Sequence, residues 1–278
     1  MDPLHLINQE DFPKLKQLLC EEFPKSFVVD CWIDTRLKWQ KIEPNENTFF
    51  ICCPEGNVKD GLVTFGVVGD KVYYLTLFTF HDDCKNLEAA LLNTKRIPWS
   101  DKMVCGVPQG LEKWFTNNIL NALGYEIHHD TPTDFYRLPK EVPRSFEIKC
   151  PDDVSVALLK QEDIPKINSL WKHSFQGSDR LISKCISLNY GFGVYSKKDG
   201  ELLSWIVKYE YSDVGILQTD ENNRKKGYGK LVIQAICKRI AEDGEDVLTF
   251  IVPGNTASES IFKGLGFKRG GSYNWLEY

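Results

Sequence analysis

The chain has 278 residues, 42% hydrophobic and 26% charged, with a formal net charge of −5. That composition is ordinary for a soluble globular protein, and the length allows one large or two ordinary domains. The acidic balance argues against a nucleic-acid protein, and no apolar run approaches membrane-spanning length. Nine cysteines include no Cys-x-x-Cys pair and no partner histidines at zinc spacing, so no metal site is expected. An odd cysteine count, and an opening from Met1 to His5 with no signal or arginine-rich segment, lead us to expect a cytoplasmic protein.

In the first half, residues 62–67 and 71–80 around Gly69 and Asp70 read as a β-hairpin. The segment after Phe80 (His81, Asp82, Asp83, Cys84) has no glycine. Residues 103–107 read as a strand and 111–123 as a helix, ended by Gly124 and Tyr125. Adjacent Cys52 and Cys53 sit in an apolar run and read as core fillers. Prolines and charges between Pro139 and Pro151 mark a boundary, giving domains 1–142 and 143–278.

The second half opens with a strand end near Leu158 and a helix carrying Pro165 in its first turn. A helix over 181–188, a hairpin of 191–195 with 201–208, and a strand over 214–219 follow. A helix over 227–242, a doubly buried strand over 247–252, a helix over 256–264 and a closing strand over 267–278 complete the pattern.

Between strand 214–219 and the next helix lies Arg224-x-x-Gly227-x-Gly229, with Lys225, Lys226 and Lys230 around it. Glycines there remove Cβ atoms where backbone N–H groups must close around an anion. The helix start adds four unpaired N–H groups and the positive end of its dipole, which makes a pyrophosphate site. The ATP-binding loop is excluded because Leu231 follows Lys230, and the dinucleotide fingerprint because Val232 stands at its third glycine. The strand–turn–helix with this motif resembles the acetyl-CoA motif of the GCN5-related N-acyltransferase superfamily. A second marker strengthens the resemblance: after strand 247–252 come Asn255, Ser258, Phe262 and the pair Gly266 and Phe267, at the spacing of that superfamily. Local readings exist too, Asn255 as a helix cap and Gly266 as a helix end.

The resemblance implies an α/β (α+β) fold with a mixed central sheet flanked by helices and a V-shaped opening between strands 214–219 and 247–252. It also implies an acyl-CoA co-substrate. Its diphosphate would lie over the amides of 225–230, including Tyr228, and its pantetheine beside Leu217, Gln218 and Thr219. Asn255, Ser258 and Phe262 are carried over as cofactor-side positions. Gly124 and Tyr125 repeat the placement of Gly266 and Phe267, and Tyr136 follows Tyr125 by eleven residues as Tyr278 follows Phe267. The expected architecture is therefore two tandem acyltransferase-like domains, the first degenerate and without the glycine motif; two unrelated α/β halves is the alternative.

Residues 170–186, 203–205 and 272–278 further resemble glycine N-acyltransferases. That resemblance implies acyl transfer from CoA to the amino group of a small amine or amino acid such as glycine; a monomer or weak homodimer is expected, and charge and hydropathy argue against nucleic-acid or membrane partners. It also admits a mitochondrial location. Two positions depart from the pattern. Phe262 stands where many members of the superfamily have a tyrosine that protonates the leaving thiolate. Asn222 stands where the family's proposed base glutamate lies, with Glu221 beside it. The amine must lose a proton before it attacks, so a carboxylate or histidine is required. Candidates are Glu221, Glu210 and His173, with Asp213 and Asp220 nearby; protein amine acetylation and a non-catalytic CoA-binding module remain as alternatives.

Overall fold

The structure is a computed structural model that describes residues 1–44, 48–68 and 72–278. The turn at Gly69 and Asp70 lies outside the described residues. The chain folds into two compact units, residues 1–135 with 270–278 and residues 136–269.

In the first unit the elements are β1 (Leu4–Leu6), α1 (Phe12–Glu21), α2 (Phe27–Ile42), β2 (Phe49–Pro54), β3 (Leu62–Val68), β4 (Val72–Phe78), α3 (Lys85–Asn93), β5 (Met103–Pro108), α4 (Glu112–Trp114) and β6 (His129–Leu138). The helix expected over 111–123 is present, but it is wound as a π-helix from Phe115 to Leu120. β3 and β4 pair antiparallel from Leu62↔Phe78 to Val68↔Val72, as the hairpin pattern requires. β4 and β5 run parallel, from Tyr73↔Met103 to Thr76↔Gly106.

Side chains alternate across this sheet. Cys52, Val63, Phe65, Leu75 and Leu77 face α3 and the π turn, where Leu87, Leu91, Ile119 and Leu120 complete a core. The opposite face meets α2, where Trp32 packs edge-on to Phe49 with ring centroids 5.1 Å apart. There Arg36 is fully buried, and its Nη2 donates to the carbonyls of Val67 (2.8 Å) and Thr48 (3.3 Å). A Cβ on Gly66 would lie 2.9 Å from that Nη2, so the missing side chain is what admits the guanidinium.

The second unit comprises β7 (Val154–Leu158), α5 (Ile164–Leu170), α6 (Ser178–Leu188), β8 (Gly191–Ser196), β9 (Leu202–Lys208), β10 (Val214–Thr219), α7 (Tyr228–Glu242), β11 (Val247–Ile251) and α8 (Thr256–Gly264). Its antiparallel sheet runs β10-β9-β8-β7. α7 packs on one face, with Leu231, Val232, Ile236 and Ile240 against Val194, Ile206 and Val214. α6 contacts β9 and buries Leu181, Ile182 and Cys185. Each unit therefore has the order strand, two helices, three strands, helix, strand, helix, as a tandem repeat requires.

The compact units differ from a division at residue 142. The last strand, β12 (Lys268–Glu277), was expected to close the second half, yet most of it belongs to the first unit. It lies between β5 and β6, pairing with β5 from Tyr273↔Pro108 to Glu277↔Val104, and Tyr278 stacks on Tyr125 with ring centroids 4.6 Å apart. A strand belongs beside the strands that satisfy its backbone groups, and for β12 these are β5 and β6. Among the described residues, no helix is long and apolar enough to cross a membrane.

Candidate active site

The site is built at the junction of β10 and α7. Gly227 caps α7 in the left-handed region (φ 83°), and a Cβ there would meet nothing within 4 Å, so backbone conformation rather than space demands glycine. Lys225 is also left-handed (φ 63°), so the loop turns sharply just before the helix. No side chain caps this helix, and its first bond runs from the Leu231 amide to the Gly227 carbonyl. The amides before it lack intrahelical acceptors and are available to an anion. A cleft of about 310 Å³ lies here, lined by Lys149, Lys226, Gly227, Tyr228 and Lys230, with Glu147 as its one carboxylate. The donor set fits a diphosphate: free amides, the helix dipole and clustered ammonium groups.

Arg224 ion-pairs with Glu221 at 3.3 Å, and Lys226 Nζ donates to Asn223 Oδ1 at 2.8 Å. Gly229 sits close to the strand, since a Cβ would lie 3.4 Å from Thr219 Oγ1. Thr219 in turn shares a 2.9 Å hydrogen bond with Ser204, whose hydroxyl also reaches the Gln218 carbonyl. Leu217 is half-buried against the core.

β10 is irregular in a way its sequence does not announce. Gly215 pairs with Val207 and Gln218 with Trp205, so Ile216 and Leu217 together face Ile206 alone. Ile216 is left-handed (φ 53°), a β-branched residue where such a residue is rare. Backbone strain of this kind, about 1–3 kcal/mol, concentrates at functional sites. The bulge takes a stretch of β10 out of regular pairing with β9.

β10 and β11 meet at a parallel bridge, Asp213↔Leu248, supported by Thr249 Oγ1 donating to the Val214 carbonyl at 2.9 Å. The two strands otherwise lie in separate sheets. Asp213 stands at this bridge, 7% exposed. Burial pushes its carboxyl up to about 7, although its own amide and that of Tyr211 pull the other way. The Tyr211 amide donates to its Oδ1 at 3.3 Å. Gly215 leaves room beside Asp213, since a Cβ there would be 3.6 Å from Oδ2.

The other acid–base candidates fall elsewhere. The Glu221 side chain is 81% exposed, in a 3-10 turn beyond the end of β10. Glu210 is fully buried in the turn between β9 and β10. His173, expected on a helix, is exposed in a turn: α5 ends at Leu170, and Trp171 is already extended at ψ 116°. Asn255 caps α8 by accepting from the Ser258 amide at 3.2 Å. Phe262 is 3% exposed and packs edge-on to Phe267 at 5.0 Å, a core position. The bulge is not foreseen from the sequence, where Gly215 just before Ile216 is its only local sign.

Residues 191–276 match the FR47-like protein family, and residues 3–114 match a domain of unknown function (DUF5645). No curated protein matches the chain. A Drosophila protein of known structure superposes with a TM-score of 0.87 at 20% identity, over 100% of this chain and 98% of that one. A tandem GNAT protein from the clavulanic acid biosynthesis pathway gives 0.57 at 12% identity, over 99% and 96%. A GCN5-related N-acetyltransferase-like protein from Streptococcus suis gives 0.52 at 11% identity, over 96% and 98%. The fold is that of the GCN5-related N-acetyltransferases, arranged as a tandem pair.

Proposed function

We propose that the protein is an acyl-CoA-dependent N-acyltransferase that acylates the amino group of a small amine or an amino acid such as glycine. The observation that carries this reading is the bulged edge of β10, set between an uncapped helix start and a buried carboxyl. Acyl-CoA, when bound, supplies an electrophilic thioester carbonyl and a thiolate leaving group. The amides of 225–230, with Lys226 and Lys230, hold the diphosphate. The irregular stretch of β10 offers backbone donors to the pantetheine arm and to the oxygen where negative charge develops.

Asp213 takes the proton of the acceptor's ammonium, directly or through water, so the nitrogen lone pair can form the C–N bond as the C–S bond breaks. A carboxyl near 7 is matched to that task at neutral pH, and geometry favours it over the exposed Glu221. Phe262 has no hydroxyl to protonate the thiolate, so that proton comes from Asp213 or solvent. Alignment of the two reactants supplies part of the rate. The acyl group and acceptor rest on the resemblance to glycine N-acyltransferases.

Thermal-shift titration with CoA followed by thiol release from acetyl-CoA, with glycine and a panel of amines, tests the reading. Stabilisation by CoA with no thiol release from any acceptor would point to a binding module. No stabilisation by CoA would remove the reading altogether.

A further inference from the structure

The turn between β9 and β10 is tied at both ends by one carboxylate. Glu245 lies between α7 and β11, and the way α7 ends fixes its backbone. Gly244 is left-handed (φ 89°), its amide donates to the Ala241 carbonyl (3.1 Å), and the Glu245 amide donates to the Ile240 carbonyl (3.2 Å). That pair of bonds stops a helix and sets the place of the residue after it. From there Glu245 Oε2 accepts from Lys208 Nζ at 2.5 Å and from Ser212 Oγ at 2.7 Å. Lys208 is the last residue of β9, and Ser212 precedes Asp213 and the start of β10. The Lys208 side chain is 1% exposed, so its ammonium requires a charged partner and holds the carboxylate where it is.

Inside the turn, the Tyr209 amide donates to the Asp213 carbonyl at 2.6 Å and the Tyr211 amide to the Asp213 carboxylate at 3.3 Å. Ser212 is 3% exposed and left-handed (φ 59°). Few residues with a Cβ adopt that conformation, and residues 209–213 include no glycine to ease it. Its φ sets the direction in which the chain enters Asp213. An unheld serine would return to negative φ and carry the Asp213 carboxyl with it, and the bond from its hydroxyl to Glu245 opposes that return.

We infer that Ser212 is a positioning residue for Asp213: its hydroxyl, held by Glu245, keeps the turn in the conformation that presents the Asp213 carboxyl to the acceptor amine. The inference rests on the reading of Asp213 as the base.

Ser212→Ala removes the hydroxyl and keeps the Cβ that disfavours a left-handed φ, whereas Ser212→Gly removes both. Both variants of the full chain are followed by NMR amide exchange at Tyr209 and Tyr211, and by thiol release from acetyl-CoA with glycine and a panel of amines. In Ser212→Ala the two amides should exchange about tenfold faster and kcat should fall about tenfold, with KM for acetyl-CoA within about twofold. In Ser212→Gly most of the lost rate should return, because glycine adopts a left-handed φ without help. Native kcat in Ser212→Ala overturns the inference, and so does Ser212→Gly as slow as Ser212→Ala, which would show the hydroxyl acting by itself. If the native chain releases no thiol, the base reading falls and amide exchange alone decides whether Ser212 sets the place of Asp213: unchanged exchange in Ser212→Ala overturns that too.

Discussion

Asp213→Asn keeps the size of the side chain and an oxygen for the Tyr211 amide, and removes the ionisation. In the native chain that carboxyl is held at about 7 by burial, whereas an unfolded chain would hold it at about 3.9. The raised native value means that the folded state binds the proton more tightly. Below about pH 4 both states are protonated and there is no effect. As pH rises toward 7, the unfolded chain ionises first and native stability falls; above 7 the loss levels off. At about 1.36 kcal/mol per tenfold in proton affinity, the full loss is about 4 kcal/mol. Asparagine carries no such slope. The melting temperature of Asp213→Asn should match the native protein near pH 4, exceed it increasingly up to pH 7, and stay above it beyond, by several degrees on the scale of about 2–4 °C per kcal/mol. The same variant should lose most of its acyl transfer. Differential scanning calorimetry between pH 4 and 8 reads the first effect and thiol release the second. A melting difference that is flat with pH would show that the carboxyl is not shifted, and the base assignment would lose its physical ground.

Native activity should rise with pH through about 7, as Asp213 gives up its proton, in a profile of kcat/KM against pH. Glu221→Gln should leave kcat within about twofold, because the side chain is exposed and already paired with Arg224; a fall of 100-fold or so would move the base to Glu221. Gly227→Val forces a β-branched residue to φ 83°, at about 1–2 kcal/mol, and should weaken CoA about tenfold or more in a titration. In the first unit, Gly270→Ala sets a methyl 2.2 Å from the Phe135 ring and should lower stability by about 1–3 kcal/mol in urea unfolding.

What the sequence determined by itself was local. Arg224, Gly227 and Gly229 after an apolar strand are enough to make an uncapped helix start, because a left-handed glycine and the first turn's free amides depend on neighbours along the chain. The apolar runs 62–67 and 201–208, each bounded by turn residues, likewise gave strands of hairpins, because strand length and turn chemistry are set along the chain. Tertiary structure decided the rest. Whether Asp213 is a solvated surface charge or a buried acid depends on β11 lying beside it. The bulge at Ile216 needs β9 to set its register, and against an isoleucine's own preference only surrounding contacts can hold φ at 53°. The placement of β12 beside β5 was invisible for the most general reason. A strand's pattern specifies which of its faces is buried, while its neighbour is chosen by the unpaired edge that the rest of the fold leaves open.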